Sequence, residues 1–174
     1  MDWATKYKKT KEQKALQYDK ETDNKDLFND YSQKVHALYD QFRQTVKDSG
    51  ITVRTQKTRV STEKKVTAIS DSVDMDVLIL ADNENEIHLT PEGIGFIGVK
   101  GRVALKCYKK IYSFQSISER KIKMLREPYL VLIEGNDADY SWAYISPSEQ
   151  SATRIMKPFD QQALEKILDE VFIT

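Results

Sequence analysis

Two stretches of the chain repeat apolar residues at three- and four-residue steps, and between them the period falls to two. The first run is Phe28, Tyr31, Val35, Leu38, Tyr39, Phe42 and Val46. It predicts an amphipathic helix over residues 24–49 whose aromatic stripe packs on a sheet. Asp23 or Asn24 can accept from the free N–H groups of its first turn, and Gly50 offers a left-handed residue to stop it. His36 falls at the margin of the stripe, with no second ligand three or four residues away, and reads as a boundary residue. The second run is Leu164, Ile167, Leu168, Val171 and Phe172, which predicts a helix over residues 160–172. Asp160 suits its N-cap, and Phe159 can staple onto Leu164.

Between these helices the alternation is that of strands. Ile51, Val53 and Thr55 alternate with Thr52, Arg54 and Gln56, after which residues 58–65 read as a polar loop. Val66 and Ala68 suggest a short strand. Residues 73–81 form the central one, because Val77-Leu-Ile-Leu-Ala81 is apolar on both faces and needs cover on both. Residues 86–90 turn Ile87 and Leu89 inward and His88 outward, with a turn at Pro91 and Gly93. A further strand at 94–99 leads through Lys100-Gly101 to residues 102–108. There Val103, Leu105 and the buried Cys107 share one face, and Arg102, Lys106 and Tyr108 share the other. More strands follow at 111–117, 121–125, 129–134, 140–145 and 152–156, the aromatic row of the fourth (Tyr140, Trp142, Tyr144) being expected to pack against a helix.

The fold class is therefore α+β. An N-terminal amphipathic helix precedes an antiparallel multi-stranded sheet or partly closed barrel, and a C-terminal amphipathic helix follows. Residues 1–22 are a basic arm or a weak helix, which would make the N-terminal part a helical hairpin if it folded back. Residues 23–174 form a single domain. A strand meander closed by one C-terminal helix resembles pleckstrin-homology-like barrels. The likeness is of element order over about the last hundred residues and carries no function.

Composition narrows the class. The chain has 174 residues, 40% hydrophobic and 31% charged, with 27 basic and 27 acidic side chains. Those values suit one globular domain with a core of its own. The single Cys107 cannot form an internal disulfide and fits a reducing compartment. The longest apolar runs, residues 77–81 and 129–133, fall far short of the ~20 residues a spanning helix needs. The expectation is a soluble cytoplasmic protein that does not engage a membrane.

Several motifs invite a chemical reading. Gly93, Gly95 and Gly98 match G-x-G-x-x-G, and with Val103-Ala-Leu-Lys106 they resemble the glycine-rich loop and strand lysine of protein kinases. Only three residues separate Val99 from Val103, too few for the strand and turn of such a loop, and neither H-R-D nor D-F-G occurs. Asp74-Met-Asp76 at the head of an apolar strand resembles the metal-binding strand of nucleotidyltransferase folds, where alternating carboxylates hold divalent metals over a triphosphate. The Gly-Ser turn of that family is missing upstream. Asp74 and Asp76 are thus an alternative metal pair, and the reading assigns no cofactor.

Charge is distributed unevenly. Residues 71–86 hold six acids and no base, and residues 100–126 hold nine bases against Glu119. Residues 54–65 add five bases against Glu63. Arg102, Lys106, Tyr108, Lys109, Lys110 and Tyr112 form the expected partner-binding set, a basic-aromatic sheet face. The expected function is non-catalytic: a regulator, inhibitor or adaptor binding a protein with an acidic surface. Nucleic acid on the same face is the first alternative, and a nucleotidyltransferase-like protein using Asp74 and Asp76 is the second.

Overall fold

The computed structural model describes residues 2–61, 72–94, 100–113, 116–123, 129–134, 140–145 and 157–173. One helix, α1 (Trp3–Val46), is followed by eight strands and a short second helix. The strands are β1 (Thr52–Ser61), β2 (Ser72–Ala81), β3 (Asn85–Gly93), β4 (Gly101–Ser113), β5 (Ser116–Lys123), β6 (Tyr129–Glu134), β7 (Tyr140–Ile145) and β8 (Lys157–Pro158). Helix α2 (Gln161–Leu168) runs into a π-helical turn at Asp169–Ile173. All described pairings are antiparallel, in the order β1-β2-β3-β4-β6-β7-β8. Strand β5 pairs with the far half of β4, on the side that β6 takes at the near half. The sheet is open: among the described residues β1 pairs only with β2, and β8 only with β7. The fold is α+β.

The core lies between the sheet and the C-terminal half of α1. Phe28, Tyr31, Val35, Leu38, Tyr39, Phe42 and Val46 are all buried in it. They meet cross-strand rows such as Leu80–Ile87–Cys107, Leu78–Leu89–Leu105 and Val103–Leu130–Tyr144. Helix α2 closes the same face with Leu164 and Ile167, and Trp142 and Tyr144 pack partly against the cluster. Asp160 caps α2 by accepting from the Ala163 N–H at 2.9 Å. Phe159 stacks on Phe42 with ring centroids 6.0 Å apart, so the residue before the cap ties α2 to α1. The π-helical turn ends α2 earlier than its sequence stripe does, and Val171 and Phe172 still reach the core from it. Truncating Phe42 would remove about 3–5 kcal/mol, the usual cost for a buried aromatic.

Several boundaries differ from the sequence pattern. The pattern places a helix start at Asn24, but α1 runs unbroken from Trp3, with Asp2 accepting from the Thr5 N–H at 2.8 Å. Asp48, with φ of 62°, takes the left-handed position after the C-cap Lys47, ahead of Gly50. Asp tolerates that conformation better than most residues do. Strand β1 extends through Thr58–Arg59–Val60 to Ser61, where a loop was the expectation. The strand expected at Val66 and Ala68, those at 95–99 and 152–156, and the glycines Gly95 and Gly98 lie outside the described residues. Strand β4 continues without a break through Lys109 to Ser113.

Pro91 sits inside β3, where a turn is expected, and Gly93 is the strand's last residue. Pro91 pairs with Val103 and Gly93 with Arg102, so Glu92 is the extra residue of a β-bulge. Gly93 has φ of 93°, and a Cβ there would lie 2.9 Å from the Ser61 carbonyl oxygen. Two tyrosine hydroxyls of α1 satisfy backbone groups around this irregularity. Tyr31 accepts from the Gly93 N–H at 3.1 Å and donates to the Arg102 carbonyl at 2.8 Å. Tyr39 donates to the Asp76 carbonyl at 2.7 Å and lies 3.0 Å from the Leu89 carbonyl. Continuing the β2–β3 register from Leu78↔Leu89 sets Asp76 opposite Pro91, which has no N–H to give. The Tyr39 hydroxyl supplies that missing donor. Gly101 completes the fit, because any Cβ there would collide with the Tyr31 ring.

Burial holds both phenols well above their ordinary value of 10.0. A folded-state value raised in this way leaves stability intact below pH 10 and erodes it above, where only the unfolded chain can ionise. Tyr39→Phe and Tyr31→Phe should each cost about 1–3 kcal/mol at neutral pH, because each strands buried backbone groups. In urea titrations from neutral to alkaline pH, the wild type should lose stability steeply above pH 10, and the double Phe variant less steeply. Equal alkaline slopes would show that the two hydroxyls do not control the loss.

Candidate interaction face

The sheet's second face, opposite both helices, holds the residues singled out by charge. Register places Arg54, Ile79, His88 and Lys106 in one row across β1 to β4. The next row is Thr52, Ala81, Glu86 and Tyr108. Ile79, Val77, Ala81, Ala104, Val131 and Ala143 form a buried apolar floor, so the central strand is covered on both faces as its sequence requires. Over that floor lie half-buried polar side chains, whose stems cover apolar surface while their heads reach solvent.

Of the expected partner-binding set, three residues share this face and one departs from it. Arg102, Lys106 and Tyr108 do share this face, each half-buried. Lys109 is exposed but alternates to the face of Cys107. Lys110 sits opposite Lys121 in the β4–β5 ladder, and the side chains of Lys110 and Tyr112 lie outside the described residues. Arg102 is an ion-paired residue, 2.7 Å from Glu92 on the bulge. The ring of Tyr108 packs against His88 with centroids 4.5 Å apart, so it is not presented as a free stacking platform.

Glu86 organises the middle of the face. It is only 3% exposed, yet carries a carboxylate. One oxygen lies 2.8 Å from the His88 Nε2, and the other 3.4 Å from an Arg54 guanidinium nitrogen. A buried carboxylate needs such partners, since stripping its hydration costs several kcal/mol. Glu86 and His88, two residues apart on one strand, share a face in any register. Arg54 joins them only through the β1–β2–β3 pairing, which no local pattern reveals.

The charge blocks of the sequence find each other in the same way. Asp76 pairs with Lys57 at 2.7 Å, and Asp74 with Arg59 at 3.7 Å, across the β1–β2 ladder. Asp74, Asp76 and Glu86 of the acidic segment are thus answered by Arg59, Lys57 and Arg54 of β1. Asp74 and Asp76 lie on one face with neighbouring cations as partners, which explains the Asp-x-Asp spacing without a metal. Among the described residues no group of three or more His, Cys, Asp or Glu side chains is placed to hold a metal ion. No helix among them is long and apolar enough to cross a membrane.

No family model, curated protein or solved structure matches the chain. The face must be judged by its own chemistry. Glu86→Ala should destabilise the fold by about 1–3 kcal/mol, because it strips His88 and Arg54 of a buried partner. Arg54→Ala should cost less, since the side chain of Arg54 is 48% exposed. Thermal denaturation of the two variants measures the order, and a more costly Arg54→Ala would contradict this account of the cluster.

Proposed function

We propose that this chain is a non-catalytic interaction protein, a regulator, inhibitor or adaptor, that binds an acidic extended segment of a partner protein along β1. The observation that carries this reading is the edge itself. Strand β1 is ten residues long, pairs only with β2 among the described residues, and exposes its side chains on both faces from Thr52 to Lys57. An open edge offers a row of backbone donors and acceptors to an added strand. Arg54, Lys57 and Arg59 line that edge; each pairs with a carboxylate of β2 or β3, yet their side chains stay 48%, 70% and 81% exposed, which disfavours pairing with a second copy of the same basic strand and favours an acidic one. Lys106 shares a cross-strand row with Arg54 and adds a cation inward of the edge. The lone buried thiol suits a reducing compartment such as the cytoplasm.

Binding through the basic-aromatic face alone has less support. Arg102, 29% exposed, is held by Glu92 there, and Tyr108 is packed on His88. The nucleic-acid reading needs the same groups and is weakened by the same contacts.

A labelled peptide of alternating Glu and Val is the direct probe. In amide NMR spectra its shifts should fall on residues 52–61, and those amides should gain protection from exchange. Lys57→Gln with Arg59→Gln should weaken the peptide about tenfold, as the loss of two charge contacts implies. Binding of a single-stranded oligonucleotide in place of the peptide, with a steep salt dependence, would transfer the assignment to nucleic acid. Shifts confined to β4 would place the site on the sheet face.

A further inference from the structure

Strand β1 is not uniform along its length. Val53, Thr55, Lys57 and Arg59 share the sheet face of their β2 partners Leu80, Leu78, Asp76 and Asp74. Leu78 and Leu80 are buried in the core on that face. Val53, beside Leu80, is 39% exposed, and Thr55, beside Leu78, is exposed as well. The cover over this face therefore ends at β2, and β1 forms a shelf beyond it. Along the shelf the apolar Val53 and the uncharged Thr55 come first, and the cations Lys57 and Arg59 follow.

Both cations already have carboxylate neighbours, Asp76 at 2.7 Å from Lys57 and Asp74 at 3.7 Å from Arg59. An ammonium or a guanidinium has more donors than one carboxylate uses, and both side chains remain mostly exposed. Each can therefore meet a second carboxylate arriving from the open side of β1.

Strand β2 shows what β1 accepts as a neighbour. On the shared face it presents, in chain order, Asp74, Asp76, Leu78 and Leu80. That is two acids followed by two apolar residues, at every second position. A strand added on the open side of β1 lies beside the same four side chains, so the same order complements them. We infer that the β1 edge selects an antiparallel segment of the pattern acid-x-acid-x-apolar-x-apolar. Its acids lie beside Arg59 and Lys57, and its apolar residues beside Thr55 and Val53. The intervening positions face Thr58, Gln56 and Arg54 and are polar. Antiparallel pairing continues the order of the sheet and is the more stable arrangement per residue. A nucleic-acid backbone is anionic along its whole length and offers no apolar group beside Val53. This inference rests on β1 being the binding edge, and adds the partner's pattern and direction.

Two end-capped peptides of one composition test it, Asp-Thr-Asp-Thr-Val-Thr-Val and its reverse, Val-Thr-Val-Thr-Asp-Thr-Asp. Each is titrated into the full chain and followed by amide NMR. The first should bind about tenfold tighter, as two ion pairs kept or lost imply, with shifts on residues 52–61. Val53→Lys with Arg59→Val moves a cation to the other end of the shelf and should erase the preference, with circular dichroism confirming the fold. Should that pair unfold the chain, Val53→Lys alone, at an exposed position, should narrow the preference. Equal affinities with shifts on β1, or a tighter reversed peptide, would overturn the pattern and leave β1 as the site. A preference undiminished by the substitutions would overturn the register. Shifts absent from β1 with both peptides and with the alternating Glu and Val peptide would remove the site itself, and this inference with it.

Discussion

The fold depends on the way α1 holds a sheet whose ladder is interrupted. Strand β3 contains a proline and a bulge in its last turn of pairing, which leaves backbone groups at Asp76, Gly93 and Arg102 in need of partners. Tyr39 and Tyr31 provide them from the helix, on rings that also fill the core. Each tyrosine therefore couples apolar burial to a polar requirement that Phe could not meet. The helix cannot rotate or slide by one residue without breaking both sets of contacts. That fixes the angle at which the remaining stripe, Val35 to Val46, meets β2, β3 and β4.

The periodic parts of this architecture were legible from the sequence. The stripe from Phe28 to Val46, the doubly apolar Val77–Ala81 run and the inward Cys107 all follow from spacing alone, since burial on one face leaves a regular mark. The arm from Trp3 leaves no such mark because its residues 2–13 are all exposed, and only the helix preference of its Lys, Gln, Glu and Ala residues speaks for it. Strand β1 was cut short for a similar reason. Past Gln56 the residues Lys57, Thr58, Arg59 and Ser61 are polar on both faces, and the buried Val60 alone marks a covered one. Pro91 and Gly93 looked like a turn because the bulge that accommodates them depends on Tyr31, sixty residues away in the chain.

The candidate face was half legible. Alternation along β4 puts Arg102, Lys106 and Tyr108 together, whereas Lys109, grouped with them by charge, alternates to the face of Cys107. It could not show that Arg102 meets Glu92 or that Arg54 meets Glu86, because these pairs are set by register between strands. The segregated charge blocks acquire a structural meaning here. Opposite charges in neighbouring strands of a hairpin favour one register over its slipped alternatives, each pair adding little stability but penalising like-charge juxtaposition. What looked in the sequence like a binding signal is in part a device for aligning β1 on β2.

Cys107 gives the layered arrangement a chemical handle. It is the chain's one thiol, and it belongs to the buried core on the inner face of β4, 7% exposed. A thiol reagent can reach it only when the helical layer lifts from the sheet. The rate of its modification thus becomes a clock for that opening, with no second sulfhydryl to blur the reading. Loss of the arm would leave the clock unchanged, while loosening of the Tyr31 and Tyr39 anchors would speed it.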